Sequence, residues 1–425
     1  MPHDNITIVG GGAGGLELAA RLGRRLGRHE GRRRIRLIDR SIFHLWKPSL
    51  HEVAAGSLDS HQEGLSYPLL ARRNHFSFDF GDLQSLDLAA RTLTLAPIHD
   101  ADGAELVGRR TLPYGVLVLA SGSGANLFDT PGAEAHAHRL EDVADAEAFN
   151  ARLTAAFLAA AHSDQRVLRI AIVGAGATGV ELSTELLEGH AELSAGLTED
   201  QHFALDVTLV EAGPRILGGL PDAAAGKAHR TLAARGVKVL TGAAVERVRA
   251  DGLDTAVGPV PADLVVWAAG VKAPPENARL GLEVGRLNQF VVDERLRTSA
   301  PDVYALGDCA EAPGPGGRPV PARAQAAAQQ AAWLARVLAH PNRDPGPFVY
   351  RDRGSLVSLG DRGGVGSLMG NLIGPSFLIE GLLAKWAYMA LHLDHHRAII
   401  GIRRTGLLAL SRLLHRRVTG RLKLH

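Results

Sequence analysis

Ile6-Thr-Ile-Val-Gly10-Gly-Gly12-Ala-Gly-Gly15-Leu-Glu-Leu18 stands at the start of the chain: a β-branched run, a glycine-rich turn, then helix-forming residues. The glycines have separate tasks. Gly10 permits the tight bend, Gly12 lets backbone N–H groups approach a pyrophosphate, and Gly15 lets helix pack on strand. Phosphates would rest at the helix N-terminus, where free N–H groups and the dipole favour negative charge. One such turn is a weak signal. A second, Ile170-Ala-Ile-Val-Gly174-Ala-Gly176-Ala-Thr-Gly179-Val-Glu-Leu182, makes a strong one. The pair predicts two dinucleotides, one flavin and one nicotinamide, facing each other to pass a hydride.

Each unit should carry an acid at the end of its next strand to bind a ribose diol. Asp39 closes Arg36-Leu-Ile-Asp39, and Glu211 closes Val207-Thr-Leu-Val-Glu211. Both come later than the usual spacing of about twenty residues. Arg24–Arg34 lengthens the first unit, and Glu188–Phe203 the second. Glu211 should repel a 2′-phosphate and favour NADH over NADPH, although Arg215 nearby could offset it. Small-residue closing strands complete each unit, Val116–Ala120 with Ser121-Gly-Ser-Gly124, and Leu264–Gly270. The fold class is α/β, tandem Rossmann-like dinucleotide-binding domains. Residues 1–162 and 291–345 are expected to form the first domain, 163–290 the second, and 346–425 a C-terminal region. Glu141–Ala161 reads as the crossing helix and Ala322–His340 as a long helix.

The chain's 425 residues exceed a single core. Its one cysteine, Cys309, excludes disulfides, all-cysteine metal sites and any relay through a cysteine pair beside the flavin. It reads as a buried apolar filler. A net charge of +2 is unremarkable, and no nucleic-acid partner is expected. The tail differs: Lys385, Arg397, Arg403, Arg404, Arg412, Arg416, Arg417, Arg421 and Lys423 face only Glu380 and Asp394, which points to an anionic membrane surface. The first strand begins by Asn5, leaving no room for a presequence, and no stretch reaches the roughly twenty apolar residues of a membrane span. A cytoplasmic protein touching the membrane from its surface is expected.

Several side chains stand out. Asp308, after an apolar strand, could hydrogen-bond a flavin ribityl chain or cap a helix. Glu181 and Glu17, early in the two helices, could simply complement the helix dipole, and for Glu17 that reading is adopted. Gln325 and Gln329 lie one helical turn apart among alanines, so both amides share a face open to a flat ring. Leu407, Leu410, Leu414 and Val418 fall on one face of a tail helix with Arg412 and Arg416 opposite, the pattern of an interfacial helix. His392 and His396 read as exposed interfacial residues rather than metal ligands, and no metal is expected. The basic Arg21–Arg36 run reads as a solvated loop.

With these residues assembled, the chain resembles the type II NADH dehydrogenases, single-subunit, non-proton-pumping NADH:quinone oxidoreductases. The likeness runs from Ile6 to the final Arg421–His425. It is most specific at Phe43–Gly56, Val266-Trp-Ala-Ala-Gly-Val-Lys-Ala-Pro274, Tyr304–Ala310, and Ala324-Gln325-Ala-Ala-Ala-Gln329. The resemblance implies non-covalent FAD, NADH as donor, a membrane quinone as acceptor, a ping-pong reaction, and C-terminal docking on the cytoplasmic face of the membrane. It places Asp308 on FAD and Lys47 against the flavin. It sets Glu181 at the junction of flavin, nicotinamide and quinone, Gln325 and Gln329 at the quinone, and Lys385 near the flavin edge, where snorkelling to lipid phosphates is a rival role. The family often forms homodimers, but no periodicity here demonstrates one. Two other readings stay open: a soluble NADH reductase of a small carrier such as a ferredoxin, and a slow-turnover flavin-based NADH sensor.

Overall fold

The computed structural model describes residues 4–164, 166–343, 345–360, 363–368 and 377–418. The first unit begins with β1 (Ile6–Val9), α1 (Ala13–Arg34), β2 (Ile35–Asp39), α2 (Leu50–Ala54), α3 (Tyr67–Asn74), β3 (Ser77–Phe80) and β4 (Val116–Leu119). The second contains β5 (Ala137–Arg139), α4 (Val143–Ala161), β6 (Val167–Val173), α5 (Ala177–Ser194), β7 (Ala204–Val210), α6 (Asp222–Ala234), β8 (Lys238–Leu240) and β9 (Leu264–Trp267). Residues 137–161, expected in the first domain, thus belong to the second: β5 pairs with β9, and Phe149, Leu153 and Phe157 of α4 pack in the second core. The chain returns through β10 (Val303–Ala305) and α7 (Ala324–Ala339). It ends in β11 (Gly354–Ser358), β12 (Gly364–Leu368), β13 (Phe377–Glu380), α8 (Gly381–Ile400) and α9 (Ile402–Val418).

Two parallel sheets follow, ordered β10-β4-β1-β2-β3 and β5-β9-β6-β7-β8. In each, the glycine-turn strand lies beside the point where strand order reverses, the crevice in which such sheets bind ligands. All four residues of β1 are buried, as expected of a strand covered on both faces. Ile8, Leu16, Leu37, Leu117 and Trp333 pack one core, joined by Ile399 of α8. Phe149, Ile172, Leu186 and Leu209 pack the other, joined by Val357 and Val365 of β11 and β12. The C-terminal region therefore closes over both units.

The basic run is a correction. Arg21–Arg34 continues α1 rather than forming a loop, with Gly27 alone leaving helical geometry (φ 77°). Arg24 donates to the carbonyl of Ala398 (2.7 Å) and to Asn74 Oδ1 (2.6 Å), while Asn74 Nδ2 donates to the carbonyl of Ile399 (2.9 Å). These donors satisfy the last carbonyls of α8, which the helix cannot pair itself.

Candidate active site

The two turns share one geometry. Gly10 (φ +101°) and Gly174 (φ +100°) occupy left-handed backbone. A Cβ on Gly10 would lie 2.2 Å from the Ala120 oxygen, and on Gly174 2.7 Å from Ala269 Cα. On Gly15 it would lie 1.9 Å from the Gly10 oxygen, and on Gly179 2.0 Å from the Gly174 oxygen. These four glycines are demanded by the protein's own packing. Gly12 and Gly176 are not: a Cβ on either meets nothing within 4 Å. Each opens its helix with no side-chain cap, so exposed N–H groups face open space. That is the fit a dinucleotide pyrophosphate requires.

The acids reach the turns despite their late sequence positions. Asp39 accepts from the N–H of Gly11 (2.5 Å) and of Ser41 (2.8 Å). Glu211 accepts from the N–H of Ala175 (2.9 Å) and of Gly213 (2.8 Å). Burial raises the pKa of Asp39, opposed by its two backbone donors. Arg215 is committed elsewhere, to the Gly218 carbonyl (2.9 Å) and to Asp222 (3.4 Å).

Lys47, Ser123 and Asp308 converge on one another. The Lys47 ammonium donates to the Ser123 carbonyl, and Ser123 Oγ donates to Asp308 Oδ2 (2.9 Å). The protein packed around Lys47 lowers its pKa, opposed by Asp308 and Glu141. Asp308 lies in a short 3-10 turn, Gly307–Cys309, and caps no helix with its side chain. Gln330, which drew no notice in the sequence, is buried and accepts from the Gly307 N–H (2.7 Å), fixing that turn. Cys309 is buried, its thiol donating to the carbonyl of Leu306 (3.3 Å).

Glu181 is buried against the C-terminal sheet. Its Oε1 accepts from the Ser358 N–H (3.0 Å), and its Oε2 lies 3.6 Å from Nδ1 of buried His51 on α2. Burial pushes its carboxyl up to about 7, opposed by His51 and the Ser358 N–H. His51 was missed because no local spacing ties it to Glu181.

Gln325 and Gln329 share one face of α7, and that face meets residues 351–354. Gln325 donates to the Gly354 carbonyl (2.9 Å) and accepts from the Arg353 N–H (3.1 Å). Gln329 donates to the Arg351 carbonyl (2.8 Å) and accepts from its N–H (3.1 Å). Both amides thus hold the lead-in to β11, the strand that contacts Glu181. The side chains of Lys385, His392, Arg412, Arg416 and Val418 lie outside the described residues.

Two expectations are overturned. Glu17 lies beyond the first turn of α1, so it does not serve as a dipole acid, and it is buried beside Arg21 (3.0 Å) and His395 (3.0 Å). His396 is buried rather than exposed. Among the described residues no cluster of His, Cys, Asp and Glu could hold a metal, and no helix is long and apolar enough to cross a membrane. Leu407 (66% exposed), Leu410 (52%) and Leu414 (55%) face solvent along α9.

Paired dinucleotide turns on parallel sheets define a class, and residues 4–331 match the profile of the pyridine nucleotide-disulphide oxidoreductases. With a single cysteine, this chain keeps the architecture of that class without an intramolecular disulphide. It is 37% identical over 443 aligned positions to a type II NADH:quinone oxidoreductase of Haemophilus influenzae, covering 99% of this chain and 100% of that one. It is 29% identical to the type II NADH:quinone oxidoreductase NdhA of Mycobacterium tuberculosis, over 91% of this chain and 82% of that one. The chain belongs to the type II NADH:quinone oxidoreductase family. Its fold matches NDH2 from Plasmodium falciparum, solved in complex with NADH, at a TM-score of 0.81 over 99% of both chains and 16% identity.

Proposed function

We propose that this chain oxidises NADH through non-covalently bound FAD and reduces a membrane quinone by two electrons, without proton pumping. The observation that carries the reading is the pair of turns whose middle glycines open onto free space, in a chain whose single cysteine is buried. When bound, FAD supplies the two-electron chemistry between the nicotinamide and the quinone. The first turn holds its pyrophosphate, Asp39 holds its adenosine ribose diol, and Lys47, Ser123 and Asp308 hold the flavin side. The second turn and Glu211 bind NADH. Glu181, whose buried carboxyl is partly protonated near neutral pH, serves as a proton donor to the quinone. The exposed leucines of α9, with Arg403 and Arg404 on the same helix, support docking at an anionic lipid surface on the cytoplasmic face.

The test is spectroscopic. FAD-loaded protein should bleach with NADH and regain its yellow colour on addition of a quinone. Failure with every lipid-like quinone, while NADH still bleaches the flavin, overturns the reading.

Gln325 and Gln329 belong to the quinone half of the reaction, because they fix the segment leading to the Ser358–Glu181 contact. Gln329→Ala removes two hydrogen bonds to Arg351 and should slow flavin reoxidation by quinone about tenfold, with flavin reduction by NADH spared. Equal damage to both half-reactions, measured separately by rapid mixing, counts against the assignment. Glu211→Gln should reduce the preference for NADH over NADPH about tenfold by removing charge repulsion. An unchanged ratio of kcat/KM values would show that Glu211 is not the discriminator.

A further inference from the structure

Between the first glycine turn and α8 runs a buried chain of side chains that the proposed reaction does not use. The Gly11 carbonyl accepts from Tyr67 Oη (2.6 Å) and from His44 Nδ1 (3.1 Å). His44 Nε2 lies 2.9 Å from Nε2 of His395, and His395 Nδ1 lies 3.0 Å from Glu17 Oε1. Arg21 donates to the other Glu17 oxygen (3.0 Å), and Trp46 stacks on His395 with centroids 4.1 Å apart. Glu17, His44, Tyr67 and His395 are all buried.

Donor accounting fixes the protons in this chain. A carbonyl only accepts, so His44 must carry its hydrogen on Nδ1. Neutral His44 then has a bare Nε2, and His395 must donate to it from Nε2–H. His395 Nδ1 therefore faces Glu17 with one proton between them, on the carboxyl or on the imidazole. Burial lowers His395 to about 3 and raises Glu17 above its usual range against the pull of Arg21. Both directions leave the proton on Glu17. Without it, one of the two contacts of His395 has no hydrogen to share.

The far end of the chain bears on phosphate binding. The Gly11–Gly12 peptide is planar, with C=O and N–H pointing opposite ways across a trans bond. Holding the Gly11 carbonyl inward therefore turns the Gly12 N–H outward, to the space that a Gly12 side chain would fill. Asp39 grips the same turn from its other side, through the Gly11 N–H. We infer that Glu17, His395 and His44 form a positioning chain through which the C-terminal helix pre-aims the first glycine turn at the FAD pyrophosphate. This rests on the FAD reading above.

The experiment titrates FAD into the deflavinated full-length protein, following quenching of flavin fluorescence, and records melting of the apoprotein alongside. Glu17→Leu removes the donor to His395, and His395→Phe keeps the stack on Trp46 but strands His44 Nε2. Each should weaken FAD binding about tenfold, the scale of a lost buried hydrogen bond, at a temperature well below the melting transition of either variant apoprotein. Glu17→Gln, whose amide always donates to His395 and still accepts from Arg21, should bind FAD as the wild type does. Unchanged affinity in the leucine and phenylalanine variants overturns the inference alone. So does a loss that Glu17→Gln shares, or one that appears only where the variant apoprotein has begun to melt. A wild-type protein that takes up no FAD overturns the cofactor reading and this inference with it.

Discussion

Glu181→Gln slows reoxidation of the reduced flavin by quinone about a hundredfold at neutral pH, the low end of what a positioned acid contributes, and leaves reduction by NADH near its wild-type rate. Quinone reduction consumes two protons, and an amide has none to release. The Glu181 carboxyl suits the task because burial holds it at about 7, where the protonated form is populated and can still give up its proton. The pH profile carries the sharper test. In the wild type the quinone step should slow as pH rises through about 7 and the carboxyl empties, and Glu181→Gln should flatten that limb. Stability moves with it. A carboxyl raised from 4.5 to about 7 in the folded state binds more protons there than in the unfolded chain. Its contribution is complete below 4.5 and is lost as pH rises through about 7. Thermal melts at about pH 5 and about pH 8 should differ less in Glu181→Gln than in the wild type. An alkaline limb that survives the substitution unchanged would remove Glu181 from the proton path.

The parts of this site that were legible in sequence are those whose physics is local. Gly10 and Gly174 announce themselves because a left-handed bend needs glycine wherever the chain leads next. Asp39 and Glu211 were recognisable from the apolar strands they terminate, and their late spacing is absorbed by the long helix α1 in the first unit and by α5 with residues 195–203 in the second. The same reasoning misread α1. Its arginines and glycines looked like a loop, yet a Cβ on Gly23 would lie 2.2 Å from the Asn74 oxygen, and on Gly31 2.3 Å from the His75 oxygen. Those glycines allow close packing on α3, a tertiary reason that a local pattern does not reveal. Glutamines at i and i+4 gave a shared face but not its neighbour, which is backbone at 351–354. His51 beside Glu181, and His395 beside Glu17, join residues more than a hundred positions apart. A single sequence carries no periodicity for such pairs.

Gly12→Val should leave the protein folded and strip it of flavin. The backbone at Gly12 (φ −62°, ψ −169°) is extended and open to any residue. A Cβ there meets no protein atom within 4 Å, so the apoprotein should melt as the wild type does. The branched side chain would instead occupy the space before α1 that the pyrophosphate needs. Displacing the phosphates from the helix N-terminus should weaken FAD binding about a hundredfold, since overpacking costs up to ~3 kcal/mol. Two controls separate ligand loss from misfolding. Gly15→Val drives its Cβ to 1.9 Å from the Gly10 oxygen, so it should lower the melting temperature of the apoprotein itself. Gly176→Val places the same obstacle in the second turn, and should raise KM for NADH while the purified protein stays yellow. A Gly12→Val protein that retains FAD at wild-type affinity would show that the phosphates do not lie over this turn, and the whole assignment of the first unit would have to move with them.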